Sequence, residues 1–539
     1  MEALKEFYKS RTEQFLKTVV CFDDQAYEDS LLGPNMVASL PGSGFDDSED
    51  SFSDISEVED TAELTDIQSH SLNAQELTGS FAAKGIQCSV IKTSDEPLDA
   101  KRQIVTMSMA ADIMLLDWQL ENLSDEYKTT LIGDAIVEIL RNDQEGGGRL
   151  RLIVIFSGEK EEGVLSTLTQ KLSDLHFSRT PGSYELKHGS TKIVFIGKPE
   201  GVSCSEVKLT SYDQLPEIVI GHFTNLIEGI LPITAVSAIS TLREKTHHLL
   251  AKFGSDLDGS VVAHKCLIPD PNDAETYITN LISDEISVLL SNPTVSEALS
   301  PNRVGQWLDD KFSSESERQH KLWSKAATSQ YHSDKTVLIN QNSDPVIKVK
   351  QARRTVLETL CDVENHAEMS MLTKIQCSNS SKILQSIPKL SLGTIIATND
   401  NRYLLCIQPL CDSVRISPTE GRAFPFIPLR QVGFNMNNIP DFCLPDQAEK
   451  VWCKVGKNPM DILMYPFKGS SHGTVEGKES KPTGESSRAN YFFESEIEEG
   501  KTLFFRWVAN LKLPFAQRVS SKIAERLHTP GVDDYELLR

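Results

Sequence analysis

No run of roughly 18 uninterrupted apolar residues occurs in the 539-residue chain, so no transmembrane helix is expected. The N-terminal segment MEALKEFYKSRTEQFLKTVV carries charge throughout where a secretory leader would be apolar, and it reads as a short amphipathic helix over 1–14. These absences point to a soluble, unexported protein without membrane contact. The ten cysteines contain no C-x-x-C pair, and the nearest two, Cys406 and Cys411, do not suit the usual zinc spacings. They read as reduced thiols of the cytoplasm. Basic residues are in deficit, 54 Lys and Arg against 77 Asp and Glu, for a balance of −23. A duplex-binding surface would push that balance the other way, so nucleic acid is excluded as a main partner.

What is present is a rhythm. From Phe15 to about Pro232, short apolar runs alternate with helical patterns, as in a parallel sheet covered on both faces. The runs are LKTVVCF (16–22), IQCSVI (86–91), ADIMLLDW (111–118), LRLIVIFS (150–157) and KIVFIGKP (192–199), with helices expected at 74–84, 125–142, 163–174 and 214–230. The fold class is α/β, a flavodoxin-like doubly wound five-stranded parallel sheet over 15–232, whose ligands sit beyond the carboxyl ends of the strands. Residues 28–72 break the rhythm. They include FDDSEDSFSDISEVED, with eight acids between Phe45 and Asp60, and read as a disordered acidic insertion. After 232 a mainly helical region is expected to 390, with helices at 233–253, 274–290 and 302–326. An α+β region follows over 391–539, with a β-like stretch at 393–416, a flexible loop at 468–488 and a closing helix, FAQRVSSKIAERL.

The residues at the strand ends form a coherent chemical set: Asp23 and Asp24 after the first run, Asp117 in the third, Ser157 at the fourth, and Lys198 with Pro199 at the fifth. Adjacent carboxylates with a third beside them suit a hard cation such as Mg²⁺. Phosphoryl transfer needs mostly positioning and charge neutralisation. A metal, an ammonium and a hydroxyl can therefore hold the phosphoryl oxygens while Asp117 attacks as a carboxylate nucleophile.

In the order acidic pair, phosphoacceptor, hydroxyl, Lys-Pro, this segment resembles the receiver domains of two-component response regulators. The resemblance implies that Asp117 takes a phosphoryl group from a sensor histidine kinase to become 4-aspartylphosphate. It further implies that Asp23, Asp24, Asp117 and the backbone carbonyl of Gln119 ligate Mg²⁺, while Ser157 and Lys198 contact the phosphoryl group. Phe195 matches the aromatic switch position, with Ser157 as its switch partner, and a cis peptide is implied before Pro199. Two spacings depart from a compact receiver. The acidic insertion lengthens Asp24 to Asp117, and Ser157 to Lys198 implies an enlarged region around the fourth helix.

An Asp after an apolar strand is often only a cap or turn residue. A haloacid-dehalogenase-type phosphatase needs an acid two residues after its nucleophile, where this chain has Gln119. His247 and His248 evoke a kinase phosphoacceptor helix, but no Gly-rich ATP-binding region follows. Lys348, Lys350, Arg353 and Arg354 read as a solvated helix face. The region after 232 shows no helix-turn-helix with a basic recognition helix and no P-loop. The ending WVANLKLPFAQR through PGVDDYELLR resembles the receiver proteins of bacterial anti-phage two-component systems of the Detocs type, specifically the member without an effector. That resemblance implies a phosphate sink competing with a second receiver protein for one kinase. The competing readings are a regulator that relays the signal through its C-terminal region, and an enzyme with an unrecognised site after 232.

Overall fold

The computed structural model describes residues 2–26, 72–120, 122–124, 127, 130–179, 182–199, 209–267, 273–311, 336–337, 347–348, 367–377, 387–434, 440–444, 451–456, 458–480, 490–498 and 500–528. The expected acidic insertion, apart from Leu72, lies outside them. The chain divides into two compact units, residues 1–266 with 274–328, and 267–273 with 329–539.

The first unit begins α1 (Glu2–Phe15), β1 (Thr18–Phe22), α2 (Ala74–Ala83), β2 (Gln87–Ile91), α3 (Pro97–Ser108), β3 (Ile113–Leu116), α4 (Leu131–Glu145), β4 (Arg151–Ser157) and α5 (Glu161–Lys171). It continues β5 (Ser178–Arg179), β6 (Glu185–His188), β7 (Thr191–Gly197) and α6 (Leu215–Leu226). The sheet order is β2-β1-β3-β4-β7-β6-β5. Its first five strands are parallel, in the doubly wound order of flavodoxin-like folds. The five-strand expectation holds for this parallel part and falls short of the whole sheet, because β6 and β5 add an antiparallel hairpin to the free edge of β7. That hairpin accounts for the long spacing between Ser157 and Lys198.

The apolar runs are continuous because both faces are covered. Every residue of β3, β4 and β7 is buried. Along β4, Leu152, Val154 and Phe156 enter one core while Ile153 and Ile155 enter the other.

Helices α7 (Ile230–Ala251), α8 (Asp258–Leu267), α9 (Asp273–Leu290), α10 (Pro293–Ser296) and α11 (Pro301–Lys311) follow. The unit does not end at 232, since Ile233 and Val236 of α7 enter the same core as β1 and β4. Arg243 of α7 donates to both oxygens of Asp112 at 2.8 and 3.1 Å and to the Phe15 carbonyl at 2.9 Å, with its guanidinium 4.3 Å from the centre of the Phe15 ring. His247 and His248 are exposed on this helix.

The second unit contains the short pair β8 (Thr336–Val337) and β9 (Ile347–Lys348) and helix α12 (Ala367–Cys377). Lys348 therefore lies on a strand rather than on the helix face expected of it. Next come β10 (Thr394–Ala397), β11 (Tyr403–Cys406), β12 (Arg422–Gln431), β13 (Phe442–Leu444), β14 (Val451–Val455), β15 (Leu463–Phe467), β16 (Lys478–Ser480), β17 (Asn490–Glu498) and β18 (Lys501–Asn510), closed by α13 (Leu513–His528). These nine strands form one sheet, β13-β14-β12-β11-β10-β18-β17-β16, with β15 also paired to β12. Because β15 packs against β17 as well, the sheet curls around an aromatic core of Phe424, Phe426, Phe467, Phe493 and Phe505. Its other face packs on Ala516, Val519 and Ile523 of α13.

Candidate functional site

Parallel pairing brings the strand ends to one edge of the first unit's sheet. The last residues of β1 and β3, Phe22 and Leu116, are paired, as are Ser157 of β4 and Gly197 of β7. The ladder continues one residue beyond: the Asp117 N–H donates to the Phe22 carbonyl at 3.0 Å, and the Lys198 N–H donates to the Ser157 carbonyl at 3.0 Å. Strand geometry thus sets Asp23, Asp117 and Lys198 side by side.

Lys198, 2% exposed, donates through Nζ to Asp23 Oδ2 and Asp117 Oδ2, both at 2.6 Å. The second oxygen of Asp23 accepts the Gln25 N–H at 2.9 Å, and Oδ2 of Asp24 accepts the Asn122 N–H at 3.0 Å. Asp23, Asp24 and Asp117 each offer an oxygen within 4.8 Å of the others. Above them opens a cleft of about 20 Å³, lined by Asp24, Gln25, Asp117, Gln119, Ser157, Gly158 and Glu159, with room for a single water or ion. Asp24 and Asp117 line this cleft, and Asp23, as buried as Asp24, adjoins it through the Lys198 ammonium it shares with Asp117.

The electrostatics are unbalanced. Three carboxylates face one ammonium, which leaves a formal charge of −2. Burial pushes the Asp23 carboxyl up to about 6, Asp117 pushes the same way, and Lys198 opposes them. For Lys198, burial favours the neutral amine, but the charges of Asp117 and Asp23 outweigh it and hold the ammonium above its ordinary range. Cys21, two residues before Asp23, faces the apolar core, and burial holds its thiol well above the ordinary range. An all-oxygen donor set with surplus negative charge fits a small hard divalent cation such as Mg²⁺.

Ser157 is buried at the rim, its hydroxyl 3.4 Å from the Glu159 N–H. Phe195 is buried against the α3–α5 core, and its N–H donates to the Tyr184 carbonyl at 2.9 Å, which links the expected switch residue to the added hairpin. One expectation fails: no peptide bond among the described residues is cis, so the Lys198–Pro199 bond is trans. Trans is the lower-energy isomer of an X-Pro bond by about 0.5–1 kcal/mol, and Lys198 reaches both carboxylates with it. Gln25, Asn122 and Glu159 were not anticipated, because they lie in turns beyond the strand ends where no hydrophobic period marks them.

Residues 15–203 match the family model of the response receiver domain. The match spans β1 to β7 and every strand-end residue described above, so the first unit contains a receiver domain of the response-regulator type. Domains of this class accept phosphate in two-component signalling and have a histidine kinase as partner. No curated protein and no solved structure matches the chain. No described helix is long and apolar enough to cross a membrane.

Proposed function

We propose that Asp117 is the phosphoacceptor of this receiver, that Asp24 and Asp117 with the Gln119 carbonyl hold Mg²⁺ while Asp23 supports them, and that Lys198 and Ser157 bind the incoming phosphoryl group. The observation that carries this reading is the Lys198 ammonium bridging Asp23 and Asp117 under a small cleft lined by Asp24, Gln119 and Ser157. Lys198 holds Asp117 through Oδ2, which leaves Oδ1 for in-line attack on the phosphorus. The Oδ1–P bond forms as the P–N bond to the kinase histidine breaks, and the electron pair stays on the imidazole nitrogen. Bound Mg²⁺ supplies neutralisation of the charge on the phosphoryl oxygens. Lys198 and the Ser157 hydroxyl donate to those oxygens, and the buried setting strengthens both contacts.

The finer role we assign is a phosphate sink in an anti-phage two-component system, shielding a second, effector-bearing receiver from stray phosphoryl transfer. Support comes from the C-terminal sequence resemblance and from the absence of a recognisable effector motif after 232. Intact-mass analysis after incubation with the cognate kinase or a small phosphodonor tests the chemistry. Wild type gains one phosphoryl group and Asp117→Ala gains none; equal gain in both overturns the acceptor assignment. For the role, cells carrying the kinase and the effector partner should grow poorly with Asp117→Ala and recover with wild type. Normal growth with a lost phage response would instead make the chain a forward relay.

A further inference from the structure

Asn122 is bonded to both sides of the loop system around the candidate cation site. Its backbone N–H donates to Asp24 Oδ2 at 3.0 Å, and its side-chain Nδ2 donates to the Thr93 carbonyl at 3.1 Å and to Asp95 Oδ1 at 2.9 Å. Thr93 and Asp95 belong to the connection from β2 to α3, whereas Asn122 belongs to the connection from β3 to α4. One residue therefore joins two adjacent loops and touches a carboxylate of the cleft wall.

The chemistry of the side chain fits this job closely. Two acceptors, a carbonyl and a carboxylate, face the same atom, and among short side chains only an amide nitrogen offers two hydrogens from one position. The reverse amide orientation would set an oxygen against both acceptors, so the orientation is fixed by its partners. The turn that carries Asn122 is anchored on both sides. Leu120 and Leu123 are buried in the α3–α5 core, and the Leu123 N–H donates to the Leu120 carbonyl at 3.1 Å.

We propose that Asn122 is a positioning residue for the cation site: by tying its turn to Thr93 and Asp95, it fixes the N–H that orients the Asp24 carboxylate. This rests on the Mg²⁺ reading above. Groups that orient a ligand rather than bind the metal typically change affinity by about 10–100-fold when removed. Asn122→Ala keeps the backbone N–H and removes only the tether, so any loss of affinity reports on positioning.

Calorimetric titration of the full chain with MgCl₂ tests the proposal without any phosphorylation readout. Asn122→Ala should weaken Mg²⁺ binding about tenfold. Asp95→Ala should weaken it in the same direction, while Asp95→Asn, which keeps the Oδ1 acceptor and removes the charge, should bind nearly as wild type does. The double variant Asn122→Ala/Asp95→Ala should be no weaker than the worse single variant, because both break one tether. Wild-type affinity in Asn122→Ala overturns the positioning role alone. Equal loss in Asp95→Asn and Asp95→Ala also overturns it, since charge rather than tethering would then be responsible. Absence of Mg²⁺ binding in wild type overturns the cation reading itself, and with it this inference.

Discussion

The two ends of the receiver sheet each carry a buried cation among carboxylates, and they are built to opposite rules. At the amino end Arg151, 2% exposed, pairs in bidentate fashion with Asp143, through Nε and through Nη2 at 2.7 Å. Its Nη1 donates to the Ser108 carbonyl at 3.1 Å. One charge meets one charge, and both side chains are almost fully buried. At the carboxyl end Lys198 meets Asp23 and Asp117, with Asp24 beside them, and a cleft opens directly above. A buried pair that closes its own charge leaves nothing to bind. A buried set that keeps surplus negative charge at an opening is suited to bind a cation.

The comparison breaks if the amino-end pair can be opened cheaply. Arg151→Met strands the buried Asp143 carboxylate and should lower unfolding stability by about 3–5 kcal/mol in chemical denaturation, with much of the loss recovered in Arg151→Met/Asp143→Leu. A loss below 1 kcal/mol would mean that water reaches the pair.

At the carboxyl end the signs reverse. Mg²⁺ at a hundredfold excess over its dissociation constant should stabilise the wild-type chain by about 2.7 kcal/mol, read as a rise in melting temperature. Asp24→Asn keeps an acceptor for the Asn122 N–H and removes one surplus charge. In chelator it should therefore stabilise the chain, by on the order of 1 kcal/mol, and it should lose most of the Mg²⁺ response. A variant that melts below wild type in chelator would contradict the charge imbalance.

The same contrast explains what the sequence disclosed. Strands β1, β3, β4 and β7 read as unbroken apolar runs because each is sandwiched between two cores, and the polar residue ending each run marks the site. Asp23, Asp24, Asp117, Ser157 and Lys198 were legible for that reason. Helix α3 was not, since its buried stripe of Ala100, Ile104 and Ser108 holds only one large apolar side chain. The β5–β6 hairpin was invisible for a different reason: its short, mostly polar strands join the sheet through backbone pairing to β7. In the second unit Pro425 and Pro428 argue against a strand, yet both lie within β12, which pairs with β11, β14 and β15. Asn122 carries a backbone contact and a loop tether, neither of which has a periodic signature.

A third charged cluster lies between these extremes and gives the smallest effect. Lys192 of β7 pairs with Glu185 of β6, and Nδ1 of His222 on α6 lies 3.9 Å from the same Glu185 oxygen. Burial lowers the His222 pKa first, Lys192 lowers it further, and Glu185 only partly opposes them. A group whose folded pKa lies below its unfolded value binds fewer protons when folded, so stability rises with pH through its titration. The contribution of His222 is therefore complete above the unfolded imidazole value of about 6.5 and is lost as pH falls through the folded value. Melting temperatures of wild type and His222→Gln, compared at pH 7 and pH 5, should show the steeper fall in wild type, with carboxylate titration common to both. Parallel slopes would mean that Glu185 accepts the imidazolium without cost. The cluster would then be as closed as the Arg151–Asp143 pair, with Lys192 and His222 sharing one carboxylate at the root of the added hairpin.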